Sequence, residues 1–257
     1  MVEKIIIIIL FSLAWGSFLN VVIYRLPLGM NLSHPPSACP RCKKKIKFYD
    51  NIPVFSYLLL KGKCRACGSR IPFSYFLVEI LTPICFLLIY QKHSLSLFFF
   101  TSCLFASAMI VLGFIDFYHQ ILPDEITLPG LVLALIYAPF RQDLNLTQAL
   151  IGAVVGAGFL LFVYGAYYLL RKKEGLGMGD VTMMLLIGAY LGWQMTFFTL
   201  ILASFAGALV GVLFILTQKK DLQYSLPFGT FLAPAAFVAL LWGQPIVQAY
   251  LGLFRTP

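Results

Sequence analysis

Residues 5–24 read Ile5-Ile6-Ile7-Ile8-Ile9-Leu10-Phe11-Ser12-Leu13-Ala14-Trp15-Gly16-Ser17-Phe18-Leu19-Asn20-Val21-Val22-Ile23-Tyr24, twenty residues without a formal charge. At 1.5 Å per residue, twenty helical residues span about 30 Å, the thickness of a bilayer's hydrocarbon core. The run has no sizeable basic segment before it, and it leads into Asn20-Val21-Val22-Ile23-Tyr24-Arg25 rather than a small-residue cleavage site, so it is expected to be a permanent span and not a signal peptide. Apolar stretches of similar kind follow at 73–90, 95–115, 121–140, 149–170, 181–197, 199–217 and 228–251. Pro129 and Pro139 interrupt the fourth stretch, and only Gly192-Trp193-Gln194 separates the sixth from the seventh.

The whole composition agrees with this reading. Of 257 residues, 60% are hydrophobic and 11% charged, with a mean hydropathy of +0.89, which is too apolar for a chain folded in water. The expected fold is an all-α polytopic membrane protein of about eight transmembrane helices in a lipid bilayer, with one small cytoplasmic zinc-ribbon-like insertion. Its parts would be a first transmembrane helix at 1–24, a four-cysteine domain at 25–72 and a helical bundle at 73–257.

Positive charge fixes the orientation. With the N-terminus outside, the inside loops collect 15 of the 19 Lys and Arg: ten from 25 to 72, Arg171, Lys172, Lys173, Lys219 and Lys220. Lys4, Lys92, Arg141 and Arg255 remain outside. This asymmetry accounts for most of the +9 net charge without nucleic acid, because basic residues beside anionic headgroups contribute about 1 kcal/mol each. No basic-aromatic stacking pattern points to a nucleic-acid partner.

The 25–72 insertion carries Cys39-Pro40-Arg41-Cys42 and Cys64-Arg65-Ala66-Cys67. Two CxxC turns separated by 21 residues suit a four-thiolate zinc site. Disulfides are the competing reading, but a cytoplasmic loop is held reducing. Fewer than 50 residues with few large apolar side chains need such a metal to fold. Cys85 and Cys103 stand singly in apolar stretches and read as packing residues, as do Gly152 with Gly156 and Gly207 with Gly211, whose four-residue spacing lets helices approach.

Carboxylates inside or at the edge of spans are costly and therefore mark function. Glu79 lies in the second stretch, Asp116 ends the third, Asp124 and Glu125 open the fourth, and Asp180 opens the sixth. Asp180 closes Gly175-Leu176-Gly177-Met178-Gly179-Asp180, where glycines permit irregular backbone and close approach of a substrate. The predicted topology puts Asp116 and Asp180 at cytoplasmic ends. Two carboxylates sharing a site cannot both ionise cheaply, so one holds a proton while the other activates water, a peptide-hydrolysis arrangement. A proton relay in a proton-coupled transporter and simple satisfaction of helix ends remain open on these residues alone, although a transporter predicts paired halves that the chain does not display.

Taken together, Gly16-Ser17-Phe18-Leu19-Asn20 through Arg25-Leu26-Pro27, both CxxC pairs with Asn51-Ile52-Pro53 between them, Val78-Glu79, Asp116, Leu122-Pro123-Asp124 and Gly177-Met178-Gly179-Asp180 resemble the type IV prepilin peptidases over nearly the whole chain. The resemblance implies a bifunctional inner-membrane enzyme, an intramembrane aspartic endopeptidase and N-methyltransferase. It would cut the short basic leader of prepilins and pseudopilins after a Gly at the cytoplasmic membrane edge, then methylate the new N-terminus, usually Phe, from S-adenosylmethionine. It implies Asp116 and Asp180 as the catalytic pair, with Gly177, Gly179 and Asp124 in support and Asp124 as the alternative first aspartate or a helix cap. Cys39, Cys42, Cys64 and Cys67 carry over as zinc ligands, and Gly62, Asn20, Arg25 and Glu79 as candidates around the methyl donor. The chain departs from the family after the second CxxC, where it reads Phe73-Ser74-Tyr75-Phe76-Leu77-Val78-Glu79 instead of placing Arg-Tyr-Pro before the Val-Glu.

Overall fold

Backbone groups in hydrocarbon must be satisfied within their own segment, so apolar runs of this length fold as helices. In the computed structural model all eight apolar stretches do so. The structure describes residues 2–172, 177–218 and 227–252; Lys173, Gly175, Lys219, Lys220 and Arg255, which enter the charge and glycine readings, lie outside the described residues. The helices are α1 (Val2–Arg25), a short α2 (Phe55–Leu59), α3 (Phe73–His93), α4 (Leu97–His119), α5 (Asp124–Tyr137), α6 (Leu146–Arg171), α7 (Met178–Leu191), α8 (Trp193–Gln218), α9 (Gly229–Val238) and α10 (Gln244–Gly252). A wider π turn, Ala239–Gly243, joins the last two.

Among the described residues six segments have the length and hydropathy to cross a membrane: Val2–Leu28, Phe73–His93, Leu97–His119, Leu146–Arg171, Trp193–Phe214 and Gly229–Gly252. The other two of the eight expected spans are shorter. α5 and α7 have 14 residues each, about 21 Å, less than the hydrocarbon thickness. α5 ends in the tight Ala138–Phe140 turn that contains Pro139, and α7 stops at Gly192, whose φ of 78° breaks the helix. Burial explains how α7 tolerates this length: Val181, Met183, Met184 and the whole run Leu186–Leu191 are buried, so α7 is a core helix wrapped by its neighbours. α1 is the opposite case, with Ile6, Ile7, Leu10 and Phe11 exposed along it as a lipid-facing stripe.

The chain forms two compact units, 1–107 and 108–257. In the first, α1 lies against α3. A Cβ on Gly16 would stand 3.0 Å from Thr82 Oγ1 and 3.1 Å from Glu79 Cα, so a larger residue would push the two helices a few tenths of an ångström apart. Trp15 donates to Ser107 Oγ at 2.9 Å. The 26–72 insertion holds two isolated antiparallel bridges, Ala38 with Lys45 and Lys63 with Arg70, one around each CxxC turn.

In the second unit α7 packs on α5 and α6, and α8 on α9. α6 begins with a capping box in which Asn145 and Gln148 bond each other's backbone. Its Gly152 faces Gly188 of α7 so closely that an added Cβ on either would collide with the other's carbonyl oxygen. The packing reading of Gly152 and Gly156 therefore holds. At Gly207 an added Cβ would meet only Phe231, at an ordinary 3.5 Å, so no comparable close approach exists there.

Gly188→Ala forces two helix backbones apart and is expected to destabilise the protein by about 1–3 kcal/mol, read as a lower unfolding temperature in detergent. Gly158→Ala, with open space around its Cβ, should leave that temperature unchanged or slightly raised; equal behaviour of the two variants would contradict the packing.

Candidate active site and metal centre

In the second unit three helix ends meet. The last turn of α4 carries Asp116, the first turn of α7 carries Asp180, and α9 begins at Gly229. Thr230 donates to Asp116 Oδ2 twice, from its backbone N–H at 2.7 Å and its hydroxyl at 3.1 Å. The Gly229 N–H faces both carboxylates, and the Asp116 charge acts directly on Asp180. α9 thus aims its free N-terminal donors, the positive end of its dipole, at the pair. Both acids are secluded, Asp116 at 5% and Asp180 at 7% exposure. Asp180 Oδ1 has no hydrogen-bond partner among the described residues. A buried carboxylate oxygen without a partner costs several kcal/mol, so it is expected to serve a reacting group.

The glycines act differently from the expectation of irregular backbone. Gly177 caps α7 at an ordinary φ of −77° and Gly179 is already helical. Their contribution is space: a Cβ on Gly179 would lie 2.8 Å from Leu122 Cβ, and one on Gly229 would lie 2.9 Å from Asp116 Oδ2 and 3.0 Å from Leu122 Cδ1. Leu122 is the apolar wedge between the helix starts. Asp124 does not cap α5, and its place as the alternative first aspartate rests on the sequence alone. It is the exposed first residue of α5, capped by Pro123, and its Oδ1 accepts the Thr127 hydroxyl at 3.2 Å instead of a backbone N–H.

Sequence reading overlooked Gly229 and Thr230 and gave Leu122 no role of its own. The signal for the first two was present: the predicted topology starts the last span on the same side as both aspartates, and Gly-Thr before an apolar run is a helix opening.

In the first unit the four sulfurs of Cys39, Cys42, Cys64 and Cys67 lie within 4.8 Å of one another. Cys39 and Cys67 Sγ are 3.9 Å apart, against about 3.8 Å for the edge of a tetrahedron with ~2.3 Å metal–sulfur arms. Both turns use one backbone design. The N–H of Cys39 donates to Lys44 O and its carbonyl accepts from Lys43; Cys64 does the same with Ser69 and Gly68. Lys43 and Gly68, at matching positions, take φ of 59° and 68°. The Cys42 N–H, with help from the Ser69 hydroxyl, draws the Cys39 thiol down to about 6. At Cys42 the Lys44 N–H favours the thiolate, but desolvation and the sulfurs of Cys39, Cys67 and Cys64 outweigh it and raise this thiol to about 11. Four such sulfurs ionise together only around a cation, so the set fits a metal.

The remaining candidates divide by what they hold. Arg25 is buried and donates to the carbonyls of Asn31, Leu32 and Pro35, bracing the start of the insertion. Gly62 has a φ of 65° and lies under the Tyr57 ring, whose nearest atoms would be 3.0 Å from a Cβ. These two shape the insertion. Asn20 donates to Tyr75 O at 3.0 Å, Ser17 and Asn20 lie beside the Glu79 carboxylate, and Glu79 Oε2 accepts the Val54 N–H at 2.7 Å.

Known proteins bear directly on this arrangement. Residues 10–93 match the bacterial peptidase A24 N-terminal domain, and residues 103–212 match the type IV leader peptidase family. A protein of Aeromonas salmonicida called prepilin leader peptidase/N-methyltransferase is 37% identical over 270 residues, covering 95% of this chain and 93% of the relative. The chain belongs to the type IV leader peptidase family. Proteins with the same name from Pseudomonas putida, 38% identical over 93% of this chain and 90% of the relative, and from Legionella pneumophila, 33% identical over 95% and 93%, agree. No solved structure matches. The family match spans Asp116 and Asp180, and the N-terminal match spans the cysteine set and Glu79.

Cys64→Ser removes one corner of the tetrahedron. Elemental analysis of purified protein should find about one metal ion per wild-type chain and little in the variant; full occupancy in Cys64→Ser would contradict the four-sulfur site.

Proposed function

We propose that this protein cleaves the leader of prepilins or pseudopilins with the Asp116–Asp180 pair and then N-methylates the new terminus from S-adenosylmethionine. The observation that carries the peptidase half is the meeting of two secluded aspartates at the start of α9, inside a family whose relatives are called prepilin leader peptidase/N-methyltransferase. The transporter reading has no support from family or relatives.

Thr230 holds Asp116 in one orientation, while Asp180 presents its unpartnered Oδ1 to the reacting centre. One carboxyl group takes a proton from water as it adds to the scissile carbonyl, and the other donates a proton to the oxygen that gains charge. Both groups work in a site from which bulk water is mostly excluded, where such transfers and charges are felt most strongly. Gly179 and Gly229, bare of side chains, let Leu122 and Asp116 pack against the starts of α7 and α9.

The cysteine set of the 25–72 domain holds zinc, whose soft thiolate preference and tetrahedral geometry the sulfurs match. It is a closed, structural site; the metal folds the insertion, and the 73–257 bundle carries the peptidase. In the orientation that keeps the ten Lys and Arg of the insertion inside, the protein sits in the inner membrane with its active site facing the cytoplasm, where a substrate's basic leader remains.

In membranes with equal enzyme abundance, Asp116→Asn and Asp180→Asn should each lose leader cleavage by about 10²–10⁴-fold, while Asp124→Asn keeps most of it. Electrophoresis of a model prepilin separates the cut and uncut forms. Cleavage retained by Asp116→Asn and lost by Asp124→Asn would move the first aspartate to position 124.

A further inference from the structure

Unit 1 contains only three acidic residues, Glu3, Asp50 and Glu79. Glu3 is exposed at the start of α1. Asp50 is gripped by Arg65, whose Nε and Nη2 donate at 2.9 and 2.7 Å. Glu79 is different: it lies about 9 Å into α3, within a segment apolar enough to cross the membrane, and has no ion-pair partner among the described residues. Carboxylates at such depth ordinarily pair with a cation. Ten Lys and Arg lie in the stretch directly before α3, yet the nearest in sequence to α1's polar end, Arg25, is engaged by three carbonyls.

What surrounds Glu79 is neutral and built at some cost. Gly16 lets α1 approach α3 at Glu79, which brings Ser17 and Asn20 beside the carboxylate. Val54 adopts φ 65° and ψ −52°, with the Phe55 N–H donating to Pro53 O at 2.7 Å, the strained form of the γ-turn and a rare conformation for a β-branched residue. That turn points the Val54 N–H at Glu79 Oε2. Hydrogen-bond donors fix the carboxylate in place but leave its charge without a counter-ion among the described residues. Glu79 and Ser17 are only half-buried, so a ligand can reach them.

We propose that Glu79, framed by Ser17, Asn20 and the Val54 N–H, receives the protonated α-amine of the newly cut substrate and takes its proton for methylation. The inference rests on the two-activity reading and gives each activity its own carboxylates. The chemistry balances. The ammonium gives one proton to the Glu79 carboxylate; the freed nitrogen lone pair bonds the methyl carbon of S-adenosylmethionine; the carbon–sulfur bond breaks with its electrons going to sulfur, and the sulfonium becomes a neutral thioether. The product amine carries the positive charge that the sulfonium loses.

Glu79→Gln tests this cleanly, because the amide oxygen still accepts the Val54 N–H while the charge is gone. With full-length protein in detergent, Glu79→Gln should cut a model prepilin, retain its metal, and methylate the product about 10²-fold more slowly or worse. A second readout needs no methyl donor: wild type should bind a cleaved-product peptide with a free N-terminus about tenfold more tightly than its N-acetylated form, and Glu79→Gln should lose that preference. Wild-type methylation by Glu79→Gln, or equal binding of both peptides by wild type, overturns the proposal. Loss of metal from Glu79→Gln also overturns it, assigning Glu79 to docking of the insertion. A wild type that cuts but never methylates would instead contradict the two-activity reading, and the peptide comparison would then judge Glu79 alone.

Discussion

A carboxylate taken from water into an apolar setting must find donors or cations in the protein, and this constraint organises the second unit around the start of α9. The helix has free N–H groups exactly where α4 ends and α7 begins, and Thr230 uses one of them together with its hydroxyl on Asp116 Oδ2. Because helices carry these donors, Asp116 is held with no ion-pair partner among the described residues. The close packing follows from the same need: Gly179 and Gly229 are kept bare so that Leu122 and the carboxylates fit among three helix ends. α7 is short and buried along most of its length, and its position depends on the Gly152–Gly188 approach to α6. The site is therefore as rigid as the helix crossings that build it.

The first unit solves a related problem with a metal-fitting cluster. Its insertion has two bridged turns of one design, an Arg65–Asp50 pair and a short helix, too little apolar surface to fold alone. Four sulfurs within 4.8 Å of one another could supply the missing cross-link around a metal ion, and Arg25 ties the first turn after α1 to the loop carbonyls. The insertion delivers the Val54 N–H to Glu79, so the folded insertion and the placement of this carboxylate depend on each other.

Much of this was legible in the residues. The isoleucine run and its successors specified helices, and CxxC spacing specified the sulfur cluster, since both signals depend on local periodicity. The pairing of Asp116 with Asp180 followed from topology, because charge asymmetry put both at the same ends of their spans. Lengths were less legible: 121–140 and 181–197 read as spans, but Pro139 and the left-handed Gly192 cut them to 14-residue helices. Gly179 was read as a source of backbone freedom, whereas it is helical and its use is steric, visible only once Leu122 is in place. Gly229, Thr230 and Val54 were missed because each contributes a backbone N–H to a residue far away in sequence, and no side-chain pattern records where a main-chain donor points.

The central claim is that Asp116 and Asp180 act as one water-activating site on the leader junction. The most direct measurement is binding of a non-cleavable analogue of that junction, with a hydroxyl-bearing tetrahedral carbon in place of the scissile carbonyl, to wild type, Asp116→Asn and Asp180→Asn. The account predicts that wild type binds the analogue at least about 10²-fold more tightly than the matching uncut peptide, and that either substitution removes this advantage. An advantage that survives in both variants would contradict it.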